Sequence, residues 1–247
     1  VLNRLTMSPA VPSVLGEFAL VYDVKWPLGL VITSKLLDQY KQMHRFLLHI
    51  RLTSLEMRGV WGMLRMIRRQ GQLPSELERL CGSVVYKMQA FVRAFNEAFA
   101  TKVLMAAWTD LEHASQKATT LVELRHCHEE YVSVAVRCCF LDRPSEAIHS
   151  ALLDTLATTW SLTGFVRAQV TSRALDETRM RTLCDEFNTA LRALVGSLQS
   201  VTRDAERNTR EFSECLLLRL NFNHFYDDRV TTRERVPGRD GDATVGF

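Results

Sequence analysis

Apolar residues recur at alternating spacings of four and three along most of the chain, a pattern typical of amphipathic helices packed in a bundle. The clearest run predicts one long helix over about residues 34–69, with Ser34 as its N-cap. Eight of the nine positions in its seam are apolar. The seam consists of Leu36, Tyr40, Met43, Leu47, Ile50, Ser54, Met57, Trp61 and Leu64.

The same periodicity returns after residues 71–74, where the sequence Gly-Gln-Leu-Pro ends the first helix. It predicts helices over about 75–115, 119–140, 144–169 and 176–206. A closing helix that contains Leu216–Tyr226 is either a sixth helix or a continuation of the fifth. The buried face of the second helix is expected to carry Met88, Phe91, Phe95, Phe99 and Val103. That of the fifth is expected to carry Met180, Cys184, Phe187, Leu191, Leu194, Leu198 and Val201.

Strand patterns are nearly absent after residue 33, and only Phe18–Pro27, rich in β-branched and aromatic residues, is expected to be extended. We therefore predict an all-α fold, a bundle of about five to six long helices with a short extended N-terminal segment. This domain is expected to cover residues 1–228. Residues 229–247 are polar and glycine-rich, and we expect them to form a disordered tail.

The composition is ordinary for a globular protein, with 47% hydrophobic and 24% charged residues. A net charge of +3 gives no support by itself for a nucleic-acid partner. No apolar run reaches the length of about 18 residues that a membrane helix needs, and Val1–Ala10 lacks the apolar core of a signal peptide. Because the chain begins at Val1 rather than Met, we expect it to be part of a longer protein.

The cysteines follow neither a disulfide framework nor a zinc-binding CxxC spacing. We expect free, mostly buried thiols in a reducing compartment. The six residues are Cys81, Cys127, Cys138, Cys139, Cys184 and Cys215.

Two Glu-x-x-His motifs, Glu123–His126 and Glu146–His149, suggest a metalloenzyme, because paired motifs of this kind hold di-iron centres in helical bundles. With a turn near residue 142, however, the motifs differ in height by about 11 residues, or roughly 16 Å at 1.5 Å per residue. Asp227 and Asp228 begin an aspartate-rich DDxxD pattern that Thr231 leaves incomplete. Surface pairs are therefore the favoured interpretation, and no catalytic, cofactor or metal site is predicted.

The first long helix carries two further arcs beside its seam. One, formed by Gln42, Arg45, His49, Thr53 and Glu56, is expected to be solvated. The other interleaves basic residues with leucines, which either pack on a neighbouring helix beneath snorkelling basic chains or bind an acidic protein. This second arc, which we call the mixed face, consists of Lys41, His44, Leu48, Arg51, Leu52, Leu55 and Arg58.

The closing helix has polar residues on its apolar side. Arg219 and Asn223 lie one turn apart, on the arc that also carries Phe212, Leu216 and Tyr226. A guanidinium and an amide on such an arc are costly unless both are hydrogen-bonded. The helix is therefore either held by a buried polar network or covered by another molecule.

Five stretches of the sequence together resemble the conserved segments of one protein family. The sequence FALVYDVKWPL at Phe18–Leu28 resembles a family segment L-x-Y-x-V-x-W-P-L, and Tyr40–Arg51 resembles Y-x-x-x-F-x-F-L-L-x-x-x-R. Met88–Trp108 is similar to the family's second helix, and Leu124–Tyr131 to its L-x-x-x-H-x-x-Y/F element. Arg219–Tyr226 resembles the closing R-L-D-F-N-x-Y-Y, with Asn221 in place of the aspartate. With these five stretches in order, the chain resembles the C-terminal domain of gamma-tubulin complex proteins.

The resemblance implies a non-enzymatic protein that binds gamma-tubulin through this domain. It further implies lateral assembly with other gamma-tubulin complex proteins, mainly through an N-terminal half absent from this chain, into an array that templates microtubule nucleation. The expected location is the cytoplasmic cytoskeleton at a microtubule-organising centre, the centrosome or spindle pole body, without a nucleic-acid or membrane partner. Any GTP would belong to gamma-tubulin, and the chain itself needs no cofactor.

On this interpretation the mixed face is the candidate gamma-tubulin contact. The closing helix would complete the bundle, so we expect Arg219 and Asn223 to be largely buried and hydrogen-bonded, with Phe18–Pro27 as the expected partner segment. Two alternatives remain: an unrelated helical adaptor, such as a vesicle-tethering subunit, and a helical-bundle metalloenzyme.

Overall fold

The computed structural model describes residues 21–171, 175–201 and 206–221. Every regular element in these ranges is helical, which confirms the predicted all-α class. The helices are α1 (Ser34–Met57), α2 (Val60–Arg69), α3 (Ser75–Phe99), α4 (Trp108–Lys117), α5 (Leu121–Cys138), α6 (Glu146–Thr171), α7 (Glu177–Gln199) and α8 (Arg207–Leu220). A π-helical segment, Ala100–Ala107, joins α3 to α4, and short 3-10 turns occupy Leu28–Leu30 and Arg143–Ser145.

The first predicted helix is two helices in the structure, so the prediction of one helix over 34–69 is wrong. The α-helical hydrogen bonding stops at Arg58, whose N–H donates to the carbonyl of Leu55 at 3.2 Å, and α2 begins after Gly59. The N-cap is Thr33 rather than Ser34, because the Thr33 hydroxyl accepts the Leu36 N–H at 3.4 Å.

The predicted seam of this region is largely confirmed. Its members Leu36, Met43, Ile50, Met57 and Leu64 are all buried. Tyr40 and Leu47 are partly buried and pack on the core, whereas Trp61 is exposed.

The polar arc beside the seam is only half solvated, and here the sequence-based expectation is wrong. Gln42 and Arg45 are exposed, but Thr53 and Glu56 are buried against α6. The hydroxyl of Thr53 accepts a hydrogen bond from Trp160 Nε1 at 2.8 Å. Glu56 forms an ion pair with Arg167. These polar contacts attach α1 to α6.

Helix α3 lies at the centre of the bundle, where it packs against α1, α2, α7 and α8. Its predicted buried face is confirmed through Val103 in the π-helical segment. Phe95 makes edge-to-face contacts with Phe46 of α1, at 5.4 Å between ring centroids, and with Phe212 of α8, at 5.9 Å. Aromatic packing around α3 therefore joins elements that are far apart in sequence.

Helix α5 has well-defined signals at both ends. A capping box opens it, in which Thr120 Oγ1 accepts the Glu123 N–H and the Glu123 carboxylate accepts the Thr120 N–H. At the other end the Leu141 N–H donates to the carbonyl of Val136, as in a Schellman motif. Phe140 takes the left-handed position, with φ of 54°, that glycine usually occupies.

Helix α7 packs along α6. Its predicted seam is buried from Met180 to Leu198, and Val201 is partly buried. Residues 21–27 are not in a regular element, whereas the rest of the predicted extended segment, Tyr226, the Asp227–Asp228 pair and the predicted tail at 229–247 lie outside the described residues.

Candidate protein-binding surface

The mixed face lies on the side of α1 that points away from Thr53 and Glu56. Arg51, Leu55 and Arg58 are exposed, and Leu55 keeps 39% of its surface accessible. The other four members are intermediate in burial: Lys41, His44, Leu48 and Leu52. None of the three leucines belongs to the buried core cluster of the described residues. The face therefore remains accessible to a partner.

The charges of the mixed face are only partly neutralised. Lys41 Nζ lies 2.9 Å from a carboxylate oxygen of Asp38, one turn earlier on the same helix. Among the residues that the structure describes, Arg51 and Arg58 make no ion pair or hydrogen bond. An exposed arginine in this state keeps all its donors for a carboxylate of another molecule.

A cleft of about 360 Å³ adjoins the mixed face at Arg58, between α1 and α3. Sequence reasoning missed this cleft, because its two walls come from different helices. A usable signal was present on α3, where polar residues at 89, 93 and 96 recur with helical spacing beside the buried stripe. We call this cleft the α1–α3 groove. It is lined by Ser54, Met57, Arg58, Gln89, Val92, Arg93, Asn96 and Glu97.

Polar contacts on the neighbouring side of α1 are structural. Tyr40 Oη and His128 Nε2 are 3.1 Å apart and connect α1 to α5. Burial, with a smaller contribution from Tyr131, raises the pKa of Tyr40 to about 12. Burial also lowers the pKa of His128. Both groups are thus neutral at physiological pH, which suits a hydrogen bond inside a helix interface.

The Glu-x-x-His motifs do not come together as a metal site. Within the described residues there is no group of three His, Cys, Asp or Glu side chains placed to hold a metal ion. Glu123 is instead engaged at the start of α5, where its carboxylate accepts the Thr119 N–H at 2.8 Å. Hydrogen bonds from Thr119 are the main cause of the lowered pKa of Glu123.

The expectation that Arg219 is largely buried is wrong. Arg219 is exposed, with 34% of its side chain accessible, because α8 turns this position toward solvent beside α3. Its guanidinium donates to the carbonyl of Cys215 at 3.3 Å and lies 4.0 Å from Glu97. Asn223, the other member of the predicted network, lies outside the described residues.

All six cysteines are free thiols, four of them buried, as predicted. The sulfur atoms of Cys81 and Cys184 are 3.9 Å apart between α3 and α7. Among the described helices, none has both the length and the hydrophobicity that a membrane crossing requires.

Comparison with known families identifies the chain's ancestry. A family model described as gamma tubulin complex component C-terminal matches residues 1–226. The chain therefore belongs to the gamma-tubulin complex component family. Membership confirms the resemblance seen in the sequence and excludes a helical adaptor of unrelated ancestry.

Curated members of the gamma-tubulin complex component family align over most of this chain. Human gamma-tubulin complex component 6 is 24% identical over 231 residues, which are 90% of this chain and 12% of the human protein. Gamma-tubulin complex component 4 of Arabidopsis thaliana is 27% identical over 231 residues, 85% of this chain and 29% of the plant protein. The chain thus spans less than a third of the length of these relatives.

Proposed function

We propose that this chain binds gamma-tubulin, as the binding domain of a scaffold that arrays gamma-tubulin to template microtubule nucleation. The family match over residues 1–226 carries the proposal, since the matched relatives are named as gamma-tubulin complex components. The role is non-catalytic, and any bound GTP belongs to gamma-tubulin.

The mixed face is the proposed contact. Its arginines present planar donors that pair with carboxylates in two parallel hydrogen bonds. Its leucines add apolar area at the centre of the same patch, where contacts are best shielded from water. The exposure of Arg51, Leu55 and Arg58, and the lack of partners for the two arginines among the described residues, support this assignment.

Nucleation itself is proposed for the longer protein. Because the chain covers 12% of the human relative and 29% of the plant relative, lateral assembly with other gamma-tubulin complex proteins is assigned to regions beyond it. The proposed location is the microtubule-organising centre, the centrosome or spindle pole body.

The direct test is titration of purified gamma-tubulin into the purified chain. An Arg51→Glu/Arg58→Glu double variant should weaken binding at least tenfold, because both cations would become like charges facing the partner. Affinity of the unmodified chain should also fall as salt rises. The matched control is Arg143→Glu/Lys117→Glu, which makes the same charge change at exposed positions outside the mixed face.

Two results distinguish an error in the proposed partner from an error in the proposed binding surface. If the unmodified chain fails to bind gamma-tubulin, the proposed function is wrong. If it binds and the folded Arg51→Glu/Arg58→Glu variant binds equally well, gamma-tubulin remains the partner, and the mixed face is excluded as its contact.

A further inference from the structure

One face of α3 leads from the α1–α3 groove, where Gln89 and Arg93 line it, toward Gly82. Gly82, Tyr86, Gln89 and Arg93 follow one another at spacings of four, three and four, so they share that face. Tyr86 is 68% exposed, although its neighbours Val84 and Val85 are fully buried. An exposed tyrosine beside a groove is the kind of residue that contributes most to protein interfaces.

Trp61 of α2 lies beside this face of α3 and is held in place by contacts with it. Its indole N–H donates to Gln89 Oε1 at 3.4 Å. A Cβ added at Gly82 would meet the Trp61 ring at 3.5 Å, so the ring packs directly over the glycine. Because 38% of Trp61 nevertheless remains exposed, it offers a positioned aromatic surface that loses little entropy on binding.

The other end of the groove is basic. Arg58 enters from α1 and Arg93 from α3, and within the described part of the chain neither has an ion-pair or hydrogen-bond partner. Glu97 is the single carboxylate in the lining, and it lies 4.0 Å from Arg219. Two unpaired guanidinium groups that line one cleft are complementary to a carboxylate.

We infer that the α1–α3 groove is a second contact for the same partner, and that it takes an acidic segment of gamma-tubulin. A carboxylate of that segment pairs with Arg58 and Arg93, and an apolar side chain nearby packs on Trp61 and Tyr86. Continuity supports this assignment, since Arg58 belongs to both the mixed face and the groove. The inference rests on the proposed function, because its partner is gamma-tubulin.

Three variants of the chain test the groove by titration with purified gamma-tubulin. Arg93→Glu should weaken binding at least tenfold, and Arg93→Lys by less, because lysine keeps the charge but not the paired donors. Tyr86→Ala should also weaken binding at least tenfold. Arg143→Glu, at an exposed arginine outside the groove, is the matched charge control and should bind like the unmodified chain. Far-UV circular dichroism checks that each variant is folded.

A photo-crosslink gives a measurement that does not depend on loss of affinity. p-Benzoylphenylalanine placed at Tyr86 should crosslink to gamma-tubulin. The same group placed at Val122, which is 77% exposed on α5, should not. A crosslink from position 86 alone supports the groove, whereas no crosslink there, or equal crosslinking from both positions, overturns it.

The outcomes distinguish this inference from the proposed function. If the unmodified chain does not bind gamma-tubulin, both are wrong. A single variant, Arg51→Glu, tests the part of the mixed face that lies outside the groove. If the chain binds and Arg51→Glu weakens binding while Arg93→Glu and Tyr86→Ala do not, the groove is excluded and the proposed function stands. If Arg93→Glu and Tyr86→Ala weaken binding while Arg51→Glu does not, the groove is supported. The part of the mixed face around Arg51 is then excluded as a contact.

Discussion

The hydrogen bond between Thr53 and Trp160 allows a quantitative test of how α1 is attached to α6. Thr53 is fully buried, and its hydroxyl both donates to the carbonyl of His49 at 2.8 Å and accepts from Trp160 Nε1 at 2.8 Å. Thr53→Val keeps the shape of the side chain but removes the acceptor. Trp160→Phe removes the donor instead.

The expected cost of Thr53→Val follows from the indole N–H that it leaves without an acceptor. A buried donor without a partner costs about 1–3 kcal/mol. Trp160 is only partly buried, so water can replace part of the lost bond, and we expect a cost near the lower limit, about 1 kcal/mol. For a chain of this length, that corresponds to a fall in Tm of roughly 2–4 °C.

A double-mutant cycle isolates this bond. Urea unfolding of the unmodified chain, both single variants and the double variant, followed by circular dichroism, should give a coupling energy of about 1 kcal/mol. Thr155→Val is the matched control, because Thr155 is also fully buried but its hydroxyl donates only within its own helix, to Ala151. Coupling between Thr53 and Trp160 below about 0.5 kcal/mol, the scatter of independent sites, would refute the reasoning.

Three further predictions concern stability and can be checked by the same unfolding measurements. Phe140→Gly should be more stable than Phe140→Ala by roughly 1 kcal/mol, because Phe140 has a left-handed backbone with φ of 54°; at Phe95, inside α3, alanine should be the more stable replacement. Glu211→Gln removes the ion pair between Glu211 and Lys102. It should destabilise the chain by less than about 1 kcal/mol at pH 7, because this pair is partly solvated. The hydrogen bond from Lys102, more than any other contact, lowers the pKa of Glu211 from 4.5 to about 2. The contribution of this carboxylate is therefore complete above pH 4.5, and the difference between Glu211→Gln and the unmodified chain should shrink as the pH falls toward 2. Arg219→Ala should cost less than about 1 kcal/mol, since the guanidinium is exposed. A cost of several kcal/mol would instead support the original expectation that Arg219 belongs to a buried polar network.

Periodicity predicted which faces of the helices are buried, because that information is contained within each helix. The polar arc of α1 shows what periodicity cannot predict. Thr53 and Glu56 looked like solvated residues, but their partners Trp160 and Arg167 are 107 and 111 positions away. Since no local pattern shows what packs opposite a polar residue, only the tertiary structure could reveal these two contacts.

Helix ends were less predictable than helix faces, for local reasons. Thr33 and Ser34 are both good N-caps, and the sequence cannot tell which hydroxyl reaches the free N–H groups. No proline separates α1 from α2, and Gly59 between them occupies a position that the periodic pattern passes over. Phe140 ends α5 where glycine is usual, and its burial against Phe212, at 5.5 Å between ring centroids, offsets the backbone cost.

The two candidate contacts, the mixed face and the α1–α3 groove, also differed in how far the sequence could reveal them. The residues of the mixed face could be grouped from the sequence because they lie along one helix, although their role as a contact remains a proposal. The α1–α3 groove was not, because Arg58 and Arg93 become neighbours only when α1 packs on α3. Arg219 was misassigned for the opposite reason: it lies within the apolar arc on a helical wheel, but the part of α8 that carries it is exposed beside Glu97.

On the proposed function, α1 has two separate roles, attachment to α6 and binding of gamma-tubulin. Thr53 and Glu56 attach α1 to α6, and Arg51 and Arg58 lie on the opposite side, free of partners among the described residues. A helix attached in this way holds the backbone of its arginines in place, so that no backbone entropy is lost there on binding. Substitutions at Arg51 or Arg58 should therefore change the affinity for gamma-tubulin without lowering Tm, whereas Thr53→Val should lower Tm and leave affinity nearly unchanged below the unfolding transition. Equal effects on both quantities would mean that the exposed arginines also stabilise the bundle.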